Sequence, residues 1–376
     1  MVTPGFWNVF ILVVVAGQLK KAVGVLHHNR HGRVSSGKDI QHLTNGCTVT
    51  PKEYNINLDD DPHHRWDQVL NDFPMTQEDT VAAITLLLQE MGLSPKMLPY
   101  LTKIAKFIHK ELPQPYRDEI QGIAGKTNTD VGLVTMLNIG YDLSAFCTSI
   151  VATDANGDIW HARNLDYNST SQLRNTTITV NFQRNGKTLF SGVTFAGYIG
   201  LVTAIKPNAF TMSIDERDVG AFIDNILELL DPKVSLLGFD LRELMDKANS
   251  YSEAVAFVSS LHMPAPVYVI LGGLKGDEGT VVTRSRRSAI DIWPLSTAKG
   301  RWYLVETNYD HWNNPPWWDD RRTPAEQSMN ATGQNAIGKM TMFNVLSTPK
   351  VFNQYTVYTT VMSASRPNET QTWIRC

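Results

Sequence analysis

A chain of 376 residues with 42% hydrophobic side chains is long enough to bury a sizeable core in one or two domains. Its formal net charge is −3, from 34 basic and 37 acidic residues, and no basic stripe of the kind that binds nucleic acid stands out. No nucleic-acid partner is expected, and the scattered lysines and arginines read as a solvated surface.

Residues 6–16 form an apolar run closed by Gly17, Gln18 and the Lys20-Lys21 pair. The run falls short of the ~20 residues that cross a bilayer. It fits the apolar core of a secretory signal, with small residues at Ala16 and Ala22 for cleavage, although only the terminal amine supplies the usual basic start. Residues 1–22 are therefore expected to be a signal peptide. A buried N-terminal strand fits less well, because the next thirty residues are polar and patternless. His27, His28, His31 and His42 fall in that stretch without a Cys or carboxylate to complete a metal site, so residues 24–46 read as a loosely packed linker.

Alternation from Tyr54 to Leu58 predicts a strand, and Trp66 stands at the start of a helix. Residues 76–93 predict another helix, with Thr76 as cap and Glu78 and Asp79 suited to its first turn. From about Pro99 to Leu112, Leu101, Ile104, Ala105, Ile108 and Leu112 share one helical face flanked by Lys103, Lys106 and Lys110. Such a stripe fits burial against a neighbouring element first and an anionic lipid surface second.

Beyond Cys147 the chain breaks into short β-branched runs separated by Gly, Asn and Asp. Strands are expected at 177–182, 188–194, 198–204, 267–271, 280–284 and 356–362, and helices at 222–230 and 236–258. Strands, then helices, then strands again suggest layered sheets with helices outside, an α+β architecture.

Four Asn-X-Ser/Thr triplets, at Asn168, Asn175, Asn330 and Asn368, are glycosylation acceptors in a secretory protein. There are three cysteines. If Cys147 is a free nucleophile, Cys47 and Cys376 are left either to pair in an oxidising compartment or to stand as separate thiols. Cys147 lies sixteen residues before Arg163 and nineteen before Asp166. A cation beside a thiol favours the thiolate, and a carboxylate can orient a base. Pattern alone makes this a weak site, since no papain-type signature surrounds Cys147 and a lone Cys is more often a small buried hydrophobe. His161 and His311 adjoin the same motifs, but their spacing does not itself mark a Cys–His pair.

Longer motifs decide the matter. CTSIVA at 147–152, HARNLD at 161–166, ETNYD at 306–310 with Trp312, and DDRRT at 319–323 stand in one order. In this the chain resembles the family that contains acid ceramidase and N-acylethanolamine acid amidase, N-terminal-nucleophile hydrolases of fatty-acid amides. The likeness runs from about Tyr54 almost to the C-terminus. It implies an αββα sandwich with a helical N-terminal cap. It also implies self-cleavage between Phe146 and Cys147 into a 23–146 α subunit and a 147–376 β subunit that stay associated.

The same resemblance implies how the site works, with no metal and no cofactor. The α-amine freed at Cys147 would act as base toward its own thiol. Arg163 would lower that amine's pKa by like-charge repulsion, and Asp166 would accept its hydrogen bond. Asn308 would donate to the tetrahedral oxyanion. Arg321 and Glu216 match two further active-site positions, Glu216 either in precursor cleavage or in holding Arg163. Ala162 departs from the family's usual glycine. A family cysteine near the position of Cys47 ties the two chains together, but its partner falls where this chain has Ser328.

Lysosomal residence, with secretion as the alternative, follows from the resemblance, which allows a membrane surface or lipid activator as partner without showing the need for one. Motifs around Asp215–Asp218 and Asn308 favour N-acylethanolamines as substrate, whereas those at Phe182–Asn185 and Arg301–Tyr303 favour ceramide; the match around Asn308 tips the expectation to N-acylethanolamines, with ceramide as the alternative. An inactive lipid-binding homologue is a reading of another class, and the intact Cys147, Arg163, Asp166 and Asn308 set speaks against it. The tryptophan- and proline-rich stretch 312–318 fits either an acyl channel or a loop packed on the fold.

Overall fold

Residues 47–90, 93–140, 146–217, 219, 225, 228, 234 and 236–376 are described by a computed structural model. The expected signal peptide, the histidine-bearing linker and most of the helix expected at 222–230 lie outside them. In chain order come β1 (Thr48–Val49), β2 (Lys52–Asn57), α1 (Asp67–Asp72), α2 (Gln77–Glu90), α3 (Leu98–Glu111), α4 (Tyr116–Lys126) and α5 (Val131–Gly140). The hairpin of β3 (Phe146–Thr153) and β4 (Ile159–Asp166) leads through α6 (Thr170–Thr176) to β5 (Thr177–Arg184), β6 (Lys187–Phe195), β7 (Thr203–Lys206) and β8 (Phe210–Glu216). Helices α7 (Leu237–Lys247) and α8 (Tyr251–Ser260) precede β9 (Val267–Gly272), β10 (Gly279–Arg284), β11 (Ala289–Pro294) and β12 (Tyr303–Glu306). Then α9 (Arg322–Thr332), α10 (Lys339–Leu346), β13 (Thr356–Met362) and β14 (Gln371–Arg375) complete the chain.

Six strands pair in the order β1-β14-β13-β4-β3-β12, and eight in the order β11-β10-β9-β8-β7-β6-β5-β2. Pairing is antiparallel except between β2 and β5. Side chains alternate between the two faces of a strand, and β3 and β4 use both. Val151 and Ile159 meet Tyr268, Ile270, Val281 and Leu304 between the sheets. Ile150, Ala152, Trp160 and Ala162 point the other way, onto Ala325, Met329, Met342 and Leu346 of α9 and α10. Over the eight-stranded sheet, Phe182 stacks on Phe190 and takes Trp66 edge-on, while Tyr116 stacks on Phe239. Helix, sheet, sheet, helix is therefore the layer order, and the fold is the αββα sandwich.

The cap of α2 follows the sequence reading: Thr76 Oγ1 accepts from Asp79 N at 3.1 Å, and Asp79 Oδ2 accepts from Thr76 N at 3.0 Å. On α3, Leu101, Ala105 and Ile108 are buried, whereas Lys103, Lys106 and Lys110 are exposed. Two expectations need correction. Residues 198–202 form no strand, because Gly197 (φ +90°) turns the chain and only Thr203–Lys206 rejoins the sheet. The helix expected at 236–258 is two helices, broken at Ala248 and restarted by Ser250, whose side chain accepts from Glu253 N.

Beside the β2–β5 pairing, a disulfide and a buried ion cluster help bind the N-terminal part of the chain to the remainder. Cys47 and Cys376 form a disulfide beside the β1–β14 pairing, where Thr48 faces Arg375. Glu119 on α4 is fully buried and lies between Arg65 (2.9 Å) and Arg242 of α7 (2.6 Å), with Trp66 Nε1 donating to it at 2.8 Å. Burial opposes the charge of Glu119, but the two guanidinium groups and the indole outweigh it and hold the carboxyl below its ordinary pKa. Removing one partner of a buried ion pair strands the other. Glu119→Gln should cost about 3–5 kcal/mol, read as a lower denaturation midpoint at unchanged slope.

Candidate active site

Cys147 is the second residue of β3 and is fully buried. Antiparallel pairing sets it opposite Leu165 and sets Ser149 opposite Arg163, so strand alternation turns Cys147, Ser149, His161 and Arg163 into the space between the sheets. Arg163 Nη2 donates to Cys147 Sγ at 2.6 Å and to the Ile214 carbonyl at 3.0 Å. Its Nη1 donates to Thr203 Oγ1 at 2.6 Å and lies 3.3 Å from the Tyr358 hydroxyl. The carboxylate beside this guanidinium is Asp215, 3.6 Å from Nη2.

The backbone of Cys147 is held as firmly. Its N–H donates to Asn308 Oδ1 at 3.0 Å, and its carbonyl accepts from Arg321 Nη1. Arg321 Nη2 also donates to Asn308 Oδ1 at 2.7 Å, which fixes the orientation of the amide: Oδ1 faces two donors and Nδ2 donates to the Glu216 carbonyl at 2.7 Å. Asp319 holds Arg321 in a two-pronged pair at 2.6 and 2.7 Å. Asp166 lies opposite Phe146 across the β3–β4 pairing. Its Oδ2 accepts from Asn353 and lies 3.9 Å from Arg321, whereas its buried Oδ1 has no hydrogen-bond partner among the described residues.

The structure thus gathers Cys147, Arg163, Asp166, Asn308 and Arg321, and Glu216 joins them through its carbonyl. The amide nitrogen of Asn308 carries two N–H bonds, so its contact with Glu216 is compatible with a second one toward a reacting oxygen. His161 takes no part in a Cys–His pair. Its ring nitrogens lie 2.9 Å from Thr211 Oγ1 and 2.8 Å from Ser213 Oγ, and burial pushes its pKa down to about 3. His311 stacks on Trp293 and contacts Asp291 at 3.0 Å. Sequence reasoning missed Ser149, Thr203, Asp215 and Tyr358 as neighbours of the nucleophile. A signal was present: polar residues at every second position of otherwise apolar strands, as at Thr211, Ser213 and Asp215.

Burial pushes the Cys147 thiol up, and the opposing effect of Arg163 does not offset it. Burial thus favours the protonated thiol, next to the cation that would stabilise its conjugate base. A thiol, a buried guanidinium, an amide and a second arginine converging on one backbone position form a site for nucleophilic attack on a carbonyl.

The combination of an αββα sandwich and a cysteine at the start of an inner strand defines an N-terminal-nucleophile amide hydrolase. Residues 147–371 match the model of the linear amide C–N hydrolases, choloylglycine hydrolase family, and the chain belongs to that family. Residues 49–126 match the model described as the beta subunit of N-acylethanolamine-hydrolyzing acid amidase, a designation that falls on the part preceding Cys147. The chain is 43% identical over 333 residues to the N-acylethanolamine-hydrolyzing acid amidase of Oryctolagus cuniculus, covering 88% of this chain and 92% of that protein. It is 36% identical over 338 residues to the acid ceramidase of Homo sapiens, covering 86% and 85%. A solved Caenorhabditis elegans ortholog of the acid amidase superposes with a TM-score of 0.56 at 40% identity, over 61% of this chain and 99% of the other.

Arg163→Met keeps side-chain length and removes the charge. Losing an opposite charge at this range should lower the thiolate fraction about 10- to 10³-fold. A time course of chain cleavage at Cys147 measures it, with thermal melting to establish that the variant is folded.

Proposed function

We propose that this protein hydrolyses N-acylethanolamines to fatty acid and ethanolamine, after cutting its own chain between Phe146 and Cys147. The observation that carries the reading is the Cys147 thiol against Arg163, with Asn308 and Arg321 on its backbone, in a chain 41–43% identical to acid amidases over 87–88% of its length. In the precursor step Sγ attacks the Phe146 carbonyl, the C–N bond to Cys147 breaks and the amine takes up a proton. Water then hydrolyses the thioester. In each later turnover the freed amine takes the thiol proton and Sγ attacks the substrate amide. The proton passes to the leaving ethanolamine, and water releases the fatty acid from the thioester. Asp166 Oδ1 lies at the strand position opposite the cut and is suited to accept from the new amine.

A second reading, ceramide as substrate, draws support from the 35–36% identity to acid ceramidases. The higher identity to the amidases favours the ethanolamides. Exposed Trp312, Trp317 and Trp318 downstream of Asn308 suit a lipid substrate presented from a membrane surface or by a lipid activator. Residence in the lysosome is part of the proposal. The Cys47–Cys376 disulfide and the exposure of Asn168, Asn175, Asn330 and Asn368 support entry into the secretory pathway.

Cys147→Ser should remain a single chain at acidic pH. The parent should yield two fragments on a reducing gel, which run as one species without reductant because Cys47 and Cys376 lie on opposite sides of the cut. Faster release of ethanolamine from palmitoylethanolamide than of sphingosine from ceramide supports the substrate assignment, and the reverse order overturns it. Normal processing of the serine variant overturns the mechanism.

A further inference from the structure

Between the two sheets a line of polar side chains crosses an apolar interior. His161 contacts Thr211 and Ser213, Ser213 Oγ lies 2.9 Å from Ser149 Oγ, and Ser149 Oγ donates to Asp215 Oδ1 at 2.8 Å. Asp215 then meets Arg163 Nη2, the same nitrogen that donates to Cys147 Sγ. Asp215 Oδ2 and Arg163 Nε have no hydrogen-bond partner among the described residues. The guanidinium is therefore not engaged in a two-pronged pair with Asp215, and one nitrogen is shared by a carboxyl and the nucleophile.

Other charged and titratable groups also face Asp215. From β12, Glu306 pairs in register with Ser149 and is coupled to Asp215 electrostatically. From β9, Tyr268 pairs in register with Asp215 and donates to Asp310, which Arg217 holds. Arg321, Asp166 and the Cys147 thiol complete the set. Arg163 Nη2 is the group within reach of both Asp215 and the sulfur.

We propose that Asp215 is a positioning residue that restrains the nucleophile when ionised, by competing with the Cys147 thiolate for the charge of Arg163. With Asp215 neutral, the guanidinium serves the sulfur alone. With Asp215 ionised, a thiolate would put two anions against one cation in a buried space. Burial, only partly opposed by Arg163 and by the Ser149 hydrogen bond, raises the Asp215 pKa to about 7. Below that value the thiolate fraction rises with pH at its own slope. Above it, each further gain is offset by ionisation of Asp215, so the thiolate fraction levels off where without Asp215 it would keep rising.

The inference rests on the proposed self-cleavage. The precursor suits its test because the α-amine of Cys147 does not yet exist to titrate. Processing of the full chain is timed from pH 5 to pH 8 for the parent and for Asp215→Asn, which retains the shape and an acceptor for Ser149. The ratio of variant to parent rate cancels ionisations common to both. It should rise about tenfold between pH 6 and pH 8, one decade per pH unit above the carboxyl's pKa. Ser149→Ala keeps Asp215 but removes a donor to its ionised form, so it should move the onset of restraint to higher pH. This variant also covers the case in which Asp215→Asn does not fold. A flat ratio with an unmoved onset overturns the role of Asp215. No cleavage by the parent at any pH overturns the proposed self-processing instead.

Discussion

One buried cation organises this molecule. Arg163 is fully enclosed between the sheets, where an unpaired guanidinium would be prohibitive, so its two terminal nitrogens must find polar partners inside the interior. Thr203, Tyr358, Ser149 and Asp215, and the carbonyls of Val202 and Ile214, are the answer the fold supplies. They come from β3, β7, β8 and β13, strands of both sheets, and from Val202 just ahead of β7. The requirements of one side chain therefore constrain how the two sheets are set against each other. The same enclosure raises the thiol pKa and so withholds the nucleophile's charge until the environment of Cys147 changes.

Much of the site was legible in the primary structure, but for uneven reasons. Cys147, Arg163 and Asp166 fall on one hairpin, so their juxtaposition needed only the antiparallel pairing of two short strands. Asn308 and Arg321 could be named from motifs, yet nothing local shows that both would meet the backbone of residue 147. Asp215 was overlooked beside its more conspicuous neighbour Glu216. Strand alternation decides between such neighbours, and it placed the aspartate in the interior while the glutamate met the site through its carbonyl. The strand expected at 198–204 failed because β-branched composition does not outweigh a glycine that requires positive φ. The joining of Cys47 to Cys376 is a matter of long-range topology, which spacing cannot disclose.

The helices that precede the nucleophile are more than a covering layer. Glu119 enters the core as a carboxylate and finds one arginine from its own part of the chain and one from α7. Such an arrangement contributes less to net stability than an apolar contact of equal size, since both ions lose their hydration. It is unforgiving of misplacement, however, and this selects a single docking of the helical part on the sandwich.

The disulfide has a topological consequence. Its ends stand 329 positions apart, and it closes the chain from residue 47 to residue 376 into one ring of covalent bonds. A ring cut once becomes a line, and every residue of it stays attached. Cleavage before residue 147, as proposed, would therefore change the chemistry of one amine without releasing anything, and two half-molecules would never have to find each other again. A second cut within the ring would be the first that could set a fragment of it loose.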